Sequence, residues 1–113
     1  PLEATAAELP AARAIPADVT DPASVAALFE EAGRCDVVVA SAGTAESAPF
    51  SRLTLGHWHR EIAVNLTGTF LTFQEGLKRM EGWGRLIAVA SVAGLRGAPY
   101  VTAYTASKHG VVG

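Results

Sequence analysis

Two short apolar runs constrain the fold of this chain more than any other feature. They are DVVVAS (residues 36–41) and RLIAVAS (85–91), and neither alternates with polar residues. Continuous runs of this kind are typical of strands covered on both faces of a parallel sheet. The stretch between them has apolar residues at three- and four-residue steps, which predicts a long helix. The residues of this stripe are Trp58, Ile62, Leu66, Thr69, Phe70, Phe73 and Leu77.

The first twenty residues predict one more helix and one more strand. Residues 2–9 are rich in alanine and glutamate, which favour helix, and Pro10 ends them. AIPADV (14–19) is short and apolar and predicts a strand, although Pro16 favours an edge position or a strand start.

A further helix is expected between these elements and the first apolar run. Asp21 is the predicted N-cap, Pro22 suits the first helical position, and Gly33 suits the position after the last turn. Another helix is expected from Tyr100 onward. Strands that alternate with helices predict an α/β fold, a doubly wound parallel sheet with helices on both faces. Ligands of such sheets bind beyond the carboxyl ends of the strands.

Composition limits the class of protein. The chain has 113 residues, half of them apolar, and this length and composition predict a single domain over 1–113. The net charge of −2 comes from scattered residues of both signs, which argues against nucleic-acid binding and against a basic membrane surface. No apolar stretch reaches the length of a membrane span. The single cysteine, Cys35, suits a reducing compartment and a cytoplasmic protein. His57 and His59 stand two apart and do not face each other on a helix, so no metal site is expected.

Tyr104 and Lys108 are the first candidates for chemistry. Positions i and i+4 lie on one face of a helix, and an adjacent ammonium favours the phenolate form of a tyrosine. Thr105, Ala106 and Ser107 are small and are expected to leave room for a flat ligand. A solvated surface pair is the alternative interpretation of this spacing alone.

Three polar residues stand at unusual places. Ser91 ends the second apolar run and is either an ordinary loop-start serine or a donor to a carbonyl oxygen. Asn65 lies within the helical pattern, where asparagine is unfavourable; a local kink with water or a polar relay would explain it. Asp18 is either a turn residue or an acceptor for an adenine amino group.

In their order and spacing, these residues resemble the short-chain dehydrogenase/reductase family over essentially the whole chain. ADVTD (17–21) matches the adenine-contacting segment of that family, and ASAG (40–43) matches its NNAG motif. VNL (64–66), SVAG (91–94) and YTASK (104–108) match the segments that carry its catalytic Asn, Ser, Tyr and Lys. Ser91 and Tyr104 are thirteen residues apart, the usual spacing in the family.

The resemblance implies a Rossmann-type domain that binds NAD or NADP. It implies that Tyr104 exchanges a proton with the substrate oxygen and that Ser91 holds and polarises that oxygen. Lys108 would tune the tyrosine and bind the nicotinamide ribose, and Asn65 would hold a water that links Lys108 to solvent. Cofactor contacts are implied for Asp18, Val19, Ser41, Ala42 and Gly43, besides Tyr104 and Lys108.

The chain also departs from the family pattern. Ser41 stands where members usually carry Asn, which predicts a modest change in stability or cofactor affinity. The glycine-rich turn, the first βαβ unit and the C-terminal part are not found in the sequence. The chain is therefore expected to be an internal portion of a full-length member, inactive by itself.

The implied activity is the interconversion of a ketone and a secondary alcohol, with a 3-oxoacyl or 3-hydroxyacyl thioester as the narrower hypothesis. The expected partners are a small carbonyl or alcohol substrate and further copies of the chain, in a dimer or tetramer. Two alternatives are a non-catalytic relative with an interaction role and a sugar-nucleotide epimerase, which also uses a YxxxK motif. The SVAG segment and the Ser–Tyr spacing favour the reductase.

Overall fold

A computed structural model describes residues 2–113 of the chain. The strands are β1 (Val37–Ala40) and β2 (Arg85–Ala88). The helices are α1 (Leu2–Ala7), α2 (Pro22–Ala32), α3 (Leu55–Ile62), α4 (Gly68–Lys78) and α5 (Thr102–Val112). Three short turns complete the order: a π turn over Ala63–Thr67 and 3₁₀ turns over Phe50–Arg52 and Val92–Gly94.

β1 and β2 are parallel neighbours, and the crossover between them is the long helical stretch of α3, the π turn and α4. Val38 pairs with Leu86 and Val39 with Ile87. The Val89 amide extends the pairing by donating to the Ala40 carbonyl at 2.9 Å. The parallel α/β arrangement of the predicted Rossmann-type fold is therefore confirmed.

The caps of α2 also agree with the sequence. The Asp21 side chain accepts from the Ala23 amide at 3.0 Å, and Pro22 is the first helical residue. Gly33 has φ of +77°, and its amide donates to the Phe29 carbonyl at 3.0 Å. A positive φ of this size favours glycine, so the helix ends where the sequence predicts.

The predicted strand over 14–19 is wrong. Within the described residues the sheet contains only β1 and β2, and residues 12–18 are irregular. A strand requires a neighbour that completes its hydrogen-bond ladder, and Pro16 has no amide to offer one. Apolar character alone therefore does not make this segment a strand.

The two faces of the sheet are covered unequally. Val38 packs in the core with Val25, Phe29 and Leu71. On the opposite face, Val37 and Val39 are 49% and 52% exposed. Helices on both faces were predicted, but within residues 2–113 the helices that pack on β1 lie on the Val38 side. The expectation that both faces of each strand are covered does not hold for this part of the chain.

The predicted apolar stripe of the long helix is only partly confirmed. Five of its seven residues are partly buried, and Phe73 packs against the core, but the most deeply buried side chains of α3 and the π turn are polar. His57, Glu61 and Asn65 recur every four residues and are buried, whereas Phe70 and Leu77 are 57% and 61% exposed. The π turn explains part of this difference. Its wider turn holds one extra residue, so the stripe before it and the stripe after it are out of phase.

The last helix starts two residues later than predicted. Tyr100 has φ of +65°, outside the right-handed helical region, and its carbonyl accepts from the Ala48 amide at 2.8 Å. Helical geometry begins at Thr102. Because a non-glycine residue rarely adopts a positive φ, the loop before α5 is conformationally strained at Tyr100.

Gly76→Ala is expected to destabilise the protein by about 1–2 kcal/mol. A Cβ at position 76 would lie 2.8 Å from Val38 Cγ2, and overpacking of this kind typically costs about 1–3 kcal/mol. The higher helix propensity of alanine returns up to about 1 kcal/mol. Urea unfolding of the whole protein measures the difference.

Gly56→Ala is the matched control on α3. The nearest atom to its added Cβ would be Thr54 Oγ1 at 3.9 Å, an ordinary contact. This variant is expected to be neutral or slightly stabilising. Equal unfolding midpoints for the two variants would contradict the close packing of Gly76 on Val38.

Candidate functional site

Tyr104 and Lys108 lie on one face of α5, one turn apart. The Lys108 ammonium is 5.8 Å from the centre of the Tyr104 ring. Lys108 is 5% exposed, and its Nζ donates to the Val89 carbonyl at 2.7 Å. Val89 directly follows β2, so this hydrogen bond fixes the ammonium at the carboxyl end of the sheet. The alternative of a solvated surface pair is excluded for Lys108 by its burial.

Asn65 is fully buried at the centre of the π turn. Its amide nitrogen lies 2.9 Å from the Thr44 carbonyl, 2.9 Å from Glu61 Oε2 and 3.1 Å from Ser107 Oγ. Its side-chain oxygen accepts from the Thr44 amide at 2.9 Å. The polar-relay interpretation agrees with these contacts, and the π turn supplies the local irregularity that the sequence also suggested.

Gly43 lies between Asn65 and Lys108. A Cβ at this position would be 3.0 Å from Asn65 Oδ1 and 3.8 Å from Lys108 Nζ. The first distance is tighter than a normal Cβ contact, so the chain after β1 approaches both side chains closely because residue 43 is glycine. The segment predicted from ASAG therefore meets the segments predicted from VNL and YTASK.

Ser91 is the N-cap of the 3₁₀ turn that packs against α5. Its Oγ accepts from the Ala93 amide at 3.1 Å. This contact leaves the hydroxyl hydrogen for another partner. Within residues 2–113, no hydrogen bond joins the Ser91 hydroxyl to Tyr104, so the structure places these two groups on adjoining elements without direct contact.

Asp18 forms local hydrogen bonds in the loop before α2. Its Oδ1 accepts from Thr20 Oγ1 at 2.7 Å and from the Thr20 amide at 2.8 Å. The Thr20 hydroxyl first, and its amide second, hold the pKa of the Asp18 carboxyl below its ordinary value. Asp18 is therefore a turn residue that stays ionised at neutral pH.

A cleft of about 130 Å³ collects the remaining predicted cofactor contacts. Val19, Ser41 and Ala42 line it together with Gly68 of α4. Gly68 permits this arrangement, because a Cβ there would lie 2.9 Å from Val19 Cγ2. The cleft thus lies where β1 ends and α4 begins.

Three members of this site were not predicted from the sequence. Glu61 is 1% exposed and contacts Asn65, while Thr44 binds the Asn65 side chain through its backbone. Ser107, expected to leave room for a ligand, is instead fully buried and faces Asn65. The signal for Glu61 was its position four residues before Asn65, which places both side chains on one helix face.

The two histidines of α3 point in different directions. His57 is buried, with Nε2 4.0 Å from Glu61 Oε1, and His59 is exposed. Among residues 2–113, no helix combines the length and the apolar character that a membrane crossing requires.

Comparison with known proteins matches this chain to one family. A sequence profile of the family described as short chain dehydrogenase matches residues 1–113. The chain is 39% identical to the 2-dehydro-3-deoxy-L-rhamnonate dehydrogenase (NAD(+)) of Sphingomonas sp. (strain SKA58), over 99% of this chain and 48% of the relative.

Two further relatives carry different substrate names. The chain is 44% identical to the D-threitol dehydrogenase of Mycolicibacterium smegmatis (strain ATCC 700084 / mc(2)155), over 98% of this chain and 46% of the relative. It is 38% identical to the 3-oxoacyl-(acyl-carrier-protein) reductase FabG of Aquifex aeolicus (strain VF5), over 69% of this chain and 32% of the relative. The chain spans about half the length, or less, of the curated relatives it matches.

Proposed function

This chain belongs to the short-chain dehydrogenase family, and we propose that the whole protein is an NAD(P)(H)-dependent oxidoreductase that interconverts a ketone and a secondary alcohol. Tyr104 is the general acid and base, Lys108 tunes it, Ser91 binds the substrate oxygen and Asn65 supports Lys108.

The observation that carries this proposal is the burial of Lys108 beside Tyr104. A lysine is rarely buried without a specific role, because desolvation of its ammonium is costly. The Val89 carbonyl accepts a hydrogen bond from Lys108 Nζ at 2.7 Å, and the ammonium lies 5.8 Å from the centre of the Tyr104 ring. A buried cation on the same helix face as a tyrosine suits a residue that takes and returns a proton.

The described residues fit a nicotinamide dinucleotide. Ser41, Ala42 and Gly43 are exposed after β1, and Gly43, which has no Cβ, brings this segment close to Lys108. The two remaining Lys108 protons are suited to ribose hydroxyls. The ionised Asp18 has a second carboxylate oxygen for an adenine amino group, and Val19 lines the adjoining cleft.

The proton-transfer steps belong to the side chains. In reduction, the Tyr104 hydroxyl gives its proton to the substrate oxygen as that oxygen gains negative charge, and in oxidation the phenolate takes it back. The Ser91 hydroxyl hydrogen binds the same oxygen. The bound nicotinamide supplies or accepts the hydride.

Asn65 acts mainly through its position. Its side-chain nitrogen contacts Thr44, Glu61 and Ser107, and its oxygen accepts from the Thr44 amide, which leaves one lone pair of that oxygen for a bridging water to Lys108. A main-chain carbonyl of the π turn is the alternative acceptor, since π turns disturb the regular helical pairing.

The names of the three relatives refer to a rhamnonate derivative, D-threitol and a 3-oxoacyl group. A 3-oxoacyl or 3-hydroxyacyl thioester is the narrower substrate that we propose, on the resemblance of SVAGLRGAPYVTAYTASKHGVVG (91–113) to that branch of the family. Polyols and hydroxy acids are the competing substrates.

An assay of the whole protein tests the function. Oxidation of NADH and of NADPH is followed with a panel of 3-oxoacyl thioesters, simple ketones and keto sugar acids, and the reverse reaction with polyols. Turnover with at least one carbonyl compound is expected. Nicotinamide binding without turnover on any of these substrates would favour a non-catalytic role.

Self-association in a reducing compartment completes the proposal. Phe70 and Leu77 project from α4 at 57% and 61% exposure, and large exposed apolar side chains of this kind suit a contact between copies. The single Cys35 suits the cytoplasm. Light scattering of the whole protein is expected to give a dimer or tetramer.

A further inference from the structure

Glu61 is the most deeply buried charged side chain in the described part of the protein, at 1% exposure. It lies on α3, one turn before Asn65. Burying a carboxylate is costly unless hydrogen-bond donors surround it. The hydrogen-bond partners of Glu61 therefore indicate the role for which this carboxylate is buried.

Each of the polar groups that bind Glu61 can donate a hydrogen bond. Oε1 accepts from the Glu46 amide at 2.9 Å and lies 3.5 Å from Thr44 Oγ1. Oε2 accepts from the Asn65 amide nitrogen at 2.9 Å. An ionised carboxylate, which only accepts, matches this set of donors. Glu61 thus ties the loop after β1 to the π turn.

These contacts determine which way the Asn65 amide points. Half a turn about its last bond would exchange the oxygen and the nitrogen with little change in shape. The Glu61 carboxylate only accepts and the Thr44 amide only donates, so only one orientation satisfies both.

The same orientation connects Asn65 to the tyrosine helix. Its amide nitrogen reaches Ser107 Oγ at 3.1 Å, and the Ser107 hydroxyl donates to the Tyr104 carbonyl at 2.7 Å. A contact of Leu66 with Gly110 lies one turn further along α5, where a Cβ would come within 2.7 Å of Leu66 Cδ2.

We propose that Glu61 is a positioning residue for the reaction, an inference that rests on the proposed function. It acts through Asn65: it fixes the orientation of that amide and, with it, the placement of the loop 43–46 against Tyr104 and Lys108. It does not contact the substrate.

Glu61→Gln in the whole protein tests this role, with Glu75→Gln as the matched control. Glutamine presents an NH₂ group to one of the donors, so either Asn65 or the Glu46 amide loses its acceptor. The kcat of Glu61→Gln is expected to fall roughly 10-fold or more, since small misplacements near the reacting groups are costly. The Glu75 side chain pairs with Lys78 on α4, and its variant is expected to keep kcat within about 2-fold.

A double-mutant cycle separates positioning from general stability. In an Asn65→Ala background, Glu61→Gln is expected to change kcat by less than about 2-fold, because its effect is transmitted through Asn65. An effect of equal size with and without Asn65 would overturn the proposal. If Glu61→Gln does not fold, Glu61→Asp, which keeps the charge but withdraws it by one methylene, is taken through the same cycle.

Amide hydrogen exchange supplies a readout that needs no turnover. The amides of Thr44 and Glu46 are expected to exchange faster in Glu61→Gln than in Glu75→Gln. The Glu46 amide donates to Glu61 itself, and the Thr44 amide donates to Asn65, whose orientation Glu61 fixes. Unchanged exchange at both amides would also overturn the inference. Wild-type turnover in Tyr104→Phe would instead refute the proposed function and leave the exchange result to decide the role of Glu61.

Discussion

Tyr104→Phe is expected to lower the kcat of the whole protein by roughly 10²–10⁴-fold, the usual contribution of a general acid or base. The substitution removes the hydroxyl that we propose exchanges the proton, and it keeps the ring that lies near Lys108. Within residues 2–113 the Tyr104 hydroxyl makes no hydrogen bond, so its loss leaves no partner unsatisfied. Nicotinamide affinity and the unfolding midpoint are therefore expected to stay close to the wild type.

Tyr100→Phe is the matched control, four residues earlier in the chain. Tyr100 is 63% exposed. Its backbone carbonyl, and not its side chain, accepts the hydrogen bond from the Ala48 amide. The kcat of Tyr100→Phe is expected to remain within about 2-fold of the wild type, as for most surface substitutions. Equal turnover in Tyr104→Phe and Tyr100→Phe would rule out Tyr104 as the proton donor.

Lys108→Met is expected to lower kcat by roughly 10²-fold or more and to raise the KM for the nicotinamide. Methionine is similar in length but has no proton for the Val89 carbonyl or for a ribose, and it leaves Tyr104 without its cation. Steady-state kinetics at saturating substrate measure both changes, and fluorescence titration with NADH and NADPH measures binding directly.

Lys78→Met controls for the loss of a positive charge. Lys78 is 59% exposed in its side chain and pairs with Glu75, and surface ion pairs of this kind contribute little. Its kinetic constants are expected to match the wild type. If Lys108→Met lost stability but kept its kcat and its nicotinamide KM, Lys108 would be a structural lysine and not part of the reaction.

The parts of the fold that depend on local rules could be predicted from the sequence. The two apolar runs form β1 and β2. Helix α2 begins at Pro22, directly after its N-cap Asp21, and ends before Gly33, as the capping rules require. The i,i+4 spacing of Tyr104 and Lys108 also placed them correctly on one face of α5. Each of these inferences needs only a few neighbouring residues.

The parts that depend on distant partners could not be predicted. Asn65 meets Thr44, 21 positions earlier, and Ser107, 42 positions later. Contacts of this kind make it favourable to bury the polar side chains of α3 and the π turn, and a count of apolar residues along the chain does not predict them. The predicted strand over 14–19 failed for a related reason, since a ladder partner lies outside any local pattern.

The extra residue of the π turn makes the local geometry of this helix as important as its composition. Each residue turns a regular helix by about 100°. Regular α geometry over the same residues would rotate α4 relative to α3 by about that angle, carrying Gly68 away from Val19 and Gly76 away from Val38. The cleft after β1 and the polar contacts of α3 are therefore compatible with each other only while Ala63–Thr67 keep the wider π form, so substitutions that impose regular α geometry on this turn should weaken both.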